Sequence, residues 1–421
     1  MISDAHYRIE EPANEPHLQY APGSPERRLL KEELERQMAT ETDVPMVIGG
    51  QAVRTDNPVK IAPPHDHQFT LGHHHRGNAE HTKQAIDAAL AAKAQWEATP
   101  WQHRVAIFLK AADLISGKYR YKMNAAAMLA QSKTPHQSEI EAVGELCDFL
   151  RFNAYYLQQL YENQPHSPKG EWNRLEYRPL EGFVLAITPF NFSAIAGNLP
   201  SVPAMCGNVC LWKPADSQLY ASYTIMEIFQ EAGLPDGVIN LIYADGPDVG
   251  DVVFKHPDFG GLHFTGSYGV FTKLWQMIGE NIRTYKSFPR VVGETGGKDF
   301  VAMHHTADSR QVATALTRGA FEYQGQKCSA ASRAYIPESK FDEVVSYMKE
   351  DHARLRVGNP LDFGVFMGAV IDEGAFNNIT GFLQRAEEDP DVELLLGGGY
   401  DGNHGYFIQP TVLHSKKPDT E

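Results

Sequence analysis

The sequence predicts an α/β fold built around a mainly parallel sheet, and three observations predict it. Apolar residues in the N-terminal part recur at helical spacing. From Leu180 short apolar runs alternate with segments of helical length, and a second set of such runs begins after Pro289. That alternation implies βαβ units, in which a helix returns the chain so that the next strand lies parallel to the last.

Ser24-Pro25-Glu26 marks a helix start, with proline at the first helical position and an acid beside the positive end of the dipole. Asn78 caps the next helix, whose stripe is Ala85, Ile86, Ala89, Leu90 and Trp96. Arg104 to Ile115 and Ile140 to Leu160 repeat that period. The strands of the first set are Phe183–Ile187, Val209–Trp212, Val238–Tyr243 and Leu262–Phe264. The second set lies around Val291, Phe300–Met303 and Ala334–Ile336, which places a domain boundary near Gly293. Residues 1–43 carry no chemical signal in the sequence.

A chain of 421 residues has length for two or three domains, and its 42% hydrophobic and 22% charged content is that of an ordinary globular protein. A formal net charge of -15 argues against broad nucleic-acid binding, which needs a basic surface. No apolar run approaches the roughly 20 residues of a membrane helix, so no membrane partner is expected. The first residues, with Asp4, Glu10 and Glu11, resemble neither a secretory signal nor an Arg-rich transit peptide. Together with cysteines that show no CxxC spacing, this gives a cytoplasmic expectation.

Chemistry concentrates at Phe321 to Ser329, where Cys328 sits among small, flexible and cationic neighbours. A cysteine attacks as its thiolate, so it needs nearby positive charge or helix-terminal N–H groups, and a separate base for later hydrolysis. Lys327 offers the first and Glu294, flanked by Gly293 and Thr295-Gly296-Gly297, offers the second. Asn191, in the turn Thr188 to Phe192 after a strand, is either a plain turn residue or an oxyanion donor; one such donor is worth ~10²–10³ in rate. Cys147, Cys206 and Cys210 stand in apolar surroundings and read as structural.

Phe264 to Ser267 ends a strand before a helix, a place suited to a pyrophosphate. Lys213, at the end of another strand, is a surface lysine or a partner for a ribose hydroxyl. Asp216 is a surface acid or one that disfavours a 2′-phosphate. His65, His67, His73, His74 and His75 lack the carboxylate or cysteine framework of a metal site, and no metal is expected. Glu145, on the helix with Phe149 and Phe152, is a helix-face acid or a pocket acid.

Together these motifs resemble the aldehyde dehydrogenase superfamily, and in detail its pyrroline-5-carboxylate (glutamate-semialdehyde) dehydrogenase branch. Thr188 to Pro200, Ala320 to Ser329 and Asp148 to Asn153 carry the branch resemblance, which runs from about Val44 to the last residue. The resemblance implies that Cys328 is the nucleophile, Glu294 the base for the deacylating water, and Asn191 an oxyanion donor. It implies NAD held by Lys213 and by Gly266, Ser267, Tyr268, Gly269 and Val270, with Asp216 nearby. Glu145, Phe192, Lys327 and Ser329 would line the pocket for glutamate semialdehyde, Ser329 helping to bind its carboxylate.

The implied fold has a Rossmann-like NAD-binding domain (1–161 and 181–292, with the N-terminal helical region) and a β oligomerisation arm (162–180). A catalytic α/β domain (293–421) completes it. The family is homo-oligomeric, which implies a dimer for a complete chain, and a proline dehydrogenase is a possible partner. Tyr406 to Val412 resembles the strand before a family Glu-x-x-Phe-Gly-Pro motif, yet the sequence stops at Glu421. The expectation is a C-terminally incomplete catalytic domain, lacking the glutamate for the nicotinamide ribose and the Gly-Ser anchor loop, and a poorly active chain. Two other readings stay open: a dehydrogenase of another semialdehyde, or a non-catalytic NAD-binding fragment.

Overall fold

The structure, a computed structural model, describes residues 8–418 and 420. The chain forms two compact units. One holds residues up to Lys60, Gly72–Ala126 and Glu139–Thr295; the other holds Ile61–Leu71, Ala127–Ser138 and residues from Gly296 onward. The change of unit at Thr295 lies close to the boundary read near Gly293. The short pieces 61–71 and 127–138 cluster with the later residues instead of with their sequence neighbours.

In the first unit α1 (Pro25–Met38) starts where the sequence places it, with Ser24 Oγ accepting from Arg27 N at 3.2 Å. A hairpin follows: β1 (Met46–Ile48) and β2 (Gln51–Val53) pair antiparallel through Gly49 and Gly50, both at positive φ. A two-residue glycine turn matches the twist of paired strands, so this hairpin was readable from its dipeptide. Next come α2 (Ala79–Ala98), capped by Asn78, and α3 (Trp101–Ser116). Trp96 is buried from α2, its Nε1 donating to Ala204 O at 2.9 Å.

The helix read over Ile140 to Leu160 is in fact two pieces. A π-helical turn, Glu139–Glu145, precedes α4 (Leu146–Glu162). Such widened turns concentrate at functional sites. The N-terminal segment lies against this turn. A Cβ on Gly144 would come within 2.4 Å of His17 Nε2, so a larger residue there would displace the His17 ring. Glu139, fully buried, accepts from Leu18 N at 2.8 Å, Tyr20 hydroxyl at 2.6 Å and Asn124 Nδ2 at 2.8 Å, and pairs with Arg120.

Glu15 extends this network, with its carboxylate oxygens at 2.7 Å from Arg120 and at 2.7 Å from Arg151. Burial pushes the Glu15 carboxyl up, but the Arg151 and Arg120 guanidiniums outweigh it and hold it below its ordinary range. Buried charges need such partners. The stretch without a chemical signal in the sequence is therefore anchored by ions.

The sheet of this unit contains β3 (Phe183–Thr188), β4 (Val209–Pro214), β5 (Ile239–Leu241), β6 (Phe259–Gly266) and β7 (Arg290–Thr295). The spatial order is β7-β6-β3-β4-β5-β1-β2; β7 to β5 are parallel and the hairpin joins antiparallel. The crossovers include α5 (Ser193–Met205), α6 (Leu219–Ala232) and α7 (Tyr268–Glu280). Strands β3 and β4 are buried almost end to end, as parallel strands covered on both faces must be. From β3 the chain steps outward to β4 and β5, then returns to β6 on the other side of β3. That reversal is a topological switch point, where doubly wound sheets open a crevice at the carboxyl ends of their strands.

Helix α5 contains Pro200 and Pro203. Pro203 has no N–H to give to the carbonyl of Leu199. His263 on β6 supplies the missing donor, its Nδ1 2.9 Å from Leu199 O, and burial lowers the pKa of that imidazole.

The second unit is built from small ladders. The strands β8 (Asp299–Ala302) and β9 (Ala331–Tyr335) pair in parallel beside α8 (Ser309–Phe321) and α9 (Glu338–His352). Met303, Ala313, Leu316, Val344 and Met348 form their core. Further on, α10 (Glu373–Glu388) precedes β10 (Val392–Leu396), which pairs antiparallel with β11 (Val412–Ser415).

The arm expected as β structure over 162–180 forms no strand in this chain. Residues 163–180 fold back about a turn at Lys169-Gly170, largely exposed and tied by side chains: Gln164 Oε1 accepts from Leu175 N at 2.8 Å, and Tyr177 hydroxyl donates to Asn163 O at 2.8 Å. Among the described residues no strand pairs with this segment. Trp172 is 80% exposed.

Candidate active site

Strand register places four of the candidate groups of the first unit along one edge of its sheet. Asn191 follows the carboxyl end of β3, and Lys213 lies near the end of β4, where Ile187 pairs with Lys213. On the other side of β3, Gly266 ends β6 and Glu294 lies near the end of β7; Glu294 pairs with Thr265, and Thr295 with Gly266. The switch point, between β3 and β6, falls in the middle of this row.

Glu294 is exposed at the strand edge. A Cβ on Gly293 beside it would lie 2.2 Å from the Phe271 ring of α7, which would have to shift. Helix α7 is capped by Ser267, whose Oγ accepts from Val270 N at 3.3 Å. Tyr268 and Val270 are exposed, and a Cβ built on Gly269 would meet nothing within 4 Å, so the first turn faces open space. An open helix N-terminus after a glycine suits a phosphate.

Lys213 is mostly buried, and desolvation lowers its pKa despite the opposing pull of Asp216 and Asp245. Its Nζ lies 4.0 Å from Asp216 and 3.3 Å from Pro214 O. Arg76, which the sequence reading did not single out, stands 3.6 Å from Asp216 and 3.4 Å from Asp245. It offsets the repulsion that Asp216 alone would offer to a 2′-phosphate. No local motif flags Arg76, because it reaches these acids from a loop far upstream.

Glu145 closes the π-helical turn and is half-buried, as are Asn191 and Phe192. Glu141, on the same turn, was absent from the sequence reading. Its Oε2 accepts from Ser193 N at 2.6 Å and from Ala194 N at 3.2 Å.

The second unit carries Cys328, Lys327 and Ser329. Cys328 is half-buried and Ser329 exposed. The backbone before them is strained: Tyr323, Gln324 and Gly325 all have positive φ, at 51°, 56° and 69°. Non-glycine residues in that region persist only where neighbours over-determine them. Tyr323 is buried with the Lys133 ammonium 4.6 Å from its ring centre, and Gln324 Nε2 donates to Ala369 O. Gln326 Oε1 accepts from Ile371 N at 2.9 Å. Gly297 is fixed by contact, because a Cβ there would lie 1.6 Å from Cys328 O.

Lys327 donates to Glu322 at 3.1 Å, and Arg318 pairs with the same acid. Burial raises the Glu322 pKa, but these cations lower it further, so the charge of Lys327 is shared with a carboxylate. Glu322 is thus a partner of Lys327 beside the two roles expected of that lysine, near Cys328 and in the substrate pocket.

The histidines are divided between the two units. His73, His74 and His75 sit on one short strand of the first unit, where His75 Nε2 lies 2.7 Å from Asp43, while His65 and His67 belong to the second. Among the described residues no group of three or more His, Cys, Asp or Glu side chains is placed to hold a metal ion. No helix of the described residues is long and apolar enough to cross a membrane.

Residues 53–421 match the aldehyde dehydrogenase family. The chain belongs to that family. The Delta-1-pyrroline-5-carboxylate dehydrogenase of Agaricus bisporus is 50% identical over 418 residues, which are 98% of this chain and 76% of that relative. A Dictyostelium discoideum relative of the same name, termed mitochondrial, is 45% identical over 98% of this aldehyde dehydrogenase and 75% of its own length. The crystal structure of the Mycobacterium tuberculosis Delta-pyrroline-5-carboxylate dehydrogenase bound with NAD superposes with a TM-score of 0.97 at 48% identity. It covers 99% of this chain, which spans 78% of it.

Proposed function

We propose that this aldehyde dehydrogenase oxidises L-glutamate 5-semialdehyde, formed by hydrolysis of pyrroline-5-carboxylate, to glutamate with NAD, a step of proline catabolism. The observation that carries the reading is the 50% identity to a pyrroline-5-carboxylate dehydrogenase over 98% of the chain.

The residues present fit NAD. The open first turn of α7, Gly266 to Val270, offers backbone N–H groups to the phosphates, and the Lys213 ammonium, with Asp216, offers polar partners to a ribose. NAD, when bound, supplies the hydride acceptor.

Cys328, as the thiolate, attacks the aldehyde carbon, forming a C–S bond while the carbonyl π electrons move to oxygen. Asn191 donates its amide N–H to that oxyanion. After hydride loss Cys328 holds the acyl group as a thioester. Glu294 takes a proton from water, the resulting hydroxide attacks the acyl carbon, and the C–S bond breaks to return the thiolate. Glu145, Phe192, Lys327 and Ser329 line the substrate pocket in this reading, Ser329 helping to bind the substrate carboxylate.

The test is NADH formation from pyrroline-5-carboxylate by the purified chain, compared with simple aliphatic aldehydes. Preference for pyrroline-5-carboxylate is the expected result; equal or greater rates with aliphatic aldehydes would remove the substrate assignment. The exposed segment 163–180, with Trp172 at its surface, is proposed as the contact for a second copy. A monomer by light scattering would overturn that contact.

A further inference from the structure

We infer that Glu141 is a positioning residue that fixes the turn carrying Asn191. The inference rests on the reading of Asn191 as the oxyanion donor and adds what holds that donor in place.

The turn Pro189 to Phe192 links β3 to α5, and it is anchored at both ends. At its start Thr188 is buried, with Trp212 Nε1 donating to Thr188 Oγ1 at 3.1 Å and Ala215 N donating to Thr188 O at 3.0 Å. At its end the helix needs an acceptor for its first N–H groups, and the N-cap residue normally supplies one from its own side chain. Here the N-cap is Phe192, which makes no side-chain cap hydrogen bond. The acceptor comes instead from Glu141, 52 residues upstream of Ser193, at 2.6 Å from Ser193 N and 3.2 Å from Ala194 N.

Glu141 is only 2% exposed, and a carboxylate at this end of a helix also faces the positive pole of the dipole. Its own backbone belongs to the π-helical turn, whose first residue is the buried Glu139. The turn is itself held by the hydrogen bonds of Glu139 to Leu18, Tyr20 and Asn124. Moving the capping task to Glu141 leaves position 192 for an aromatic side chain that lines the pocket. It also couples the Asn191 turn to the turn bearing Glu145.

The test compares the full chain with Glu141→Ala and Glu141→Gln by amide hydrogen exchange and by kinetics. Glutamine keeps an oxygen acceptor of the same shape, and this variant guards against simple failure to fold. In Glu141→Ala the amides of residues 191–194 are expected to exchange at least about tenfold faster, with α3 and β4 unchanged. NADH formation from pyrroline-5-carboxylate is expected to fall at least about tenfold in kcat, with NAD affinity within about twofold of the parent. Glu141→Gln is expected to recover most of both.

Unchanged exchange at 191–194 in folded Glu141→Ala would overturn the inference, as would faster exchange with kcat unaltered. Equal losses in both variants, with NAD affinity lost in parallel, would make Glu141 a general structural residue and overturn it as well. If the parent chain forms no NADH, the reading of the reaction fails by itself, and exchange at 191–194 still decides whether Glu141 holds the turn.

Discussion

The parallel strands of the first unit and the paired strands of the second are of similar length, yet they are buried to different degrees. Phe183 on β3 is fully buried, packed edge-on against His256 and Phe259 at ring distances of 5.5 and 6.2 Å. Phe300 on β8 is 61% exposed and meets Tyr335, itself 56% exposed, across a two-stranded ladder. Helices cover the central strands on both faces in one case, whereas the ladder has an open face in the other. Apolar burial yields roughly 25 cal/mol per Å² removed from water, so the same residue type carries very different weight in the two places. Cys328, the proposed nucleophile, belongs to the thinner of the two frames, where a strained loop with buried anchors takes over the support that a wide sheet gives to Asn191.

The largest effect that separates these frames is chemical. Cys328→Ala should lower NADH formation by at least about 10³-fold while the melting temperature stays within error, because the thiol is reactive and not a core group. Retention of turnover would sink the assigned nucleophile. Next in size, Phe183→Ala should destabilise the protein by about 3–5 kcal/mol in denaturant unfolding, with the cavity left between covered faces. A loss under about 1 kcal/mol would show that β3 is less tightly packed than its burial implies.

A third comparison uses one buried histidine from each unit. Burial lowers the pKa of His65 to about 4 and that of His74 to about 4, from an ordinary value of 6.5. The folded state keeps both neutral while the unfolded chain takes up protons below pH 6.5, so stability falls as the pH drops from 6.5 towards 4. Each group contributes up to about 3 kcal/mol of that loss at pH 4. Stability measured between pH 7 and 4 should therefore decline less steeply in His65→Asn and in His74→Asn; identical slopes would show that neither imidazole resists protonation. The smallest effect is Phe300→Ala, expected to cost under about 0.5 kcal/mol at its exposed site. A larger loss would mean that the open face of β8 is covered in solution.

Much of this protein is legible in its sequence. Ser24-Pro25, Asn78, the four apolar runs from Phe183 to Phe264 and the glycine-framed Glu294 and Cys328 stretches are local signals, and local signals reflect backbone geometry that depends on few neighbours. The helix over Ile140 to Leu160 was legible as a period but not as two pieces, since a π-helical turn keeps an apolar face while widening one turn. Arg76, Glu322 and Glu141 were not legible. Their roles lie in partners set by long-range packing: Asp216 and Asp245, Lys327, and the amides of Ser193 and Ala194.

The parallel α/β class, the helix starts and the residue types available for covalent chemistry on a carbonyl follow from local sequence alone. Hydrophobic period, turn residues and reactive side chains are written into short stretches of chain. Long-range packing sets the rest: Glu139 draws residues 15–20 onto the π-helical turn, His263 replaces the donor missing at Pro203, and Glu141 caps a helix begun by a phenylalanine. The physical reason is common to all three. A buried polar group must find a partner, and which partner stands within hydrogen-bond reach is fixed by how distant segments pack.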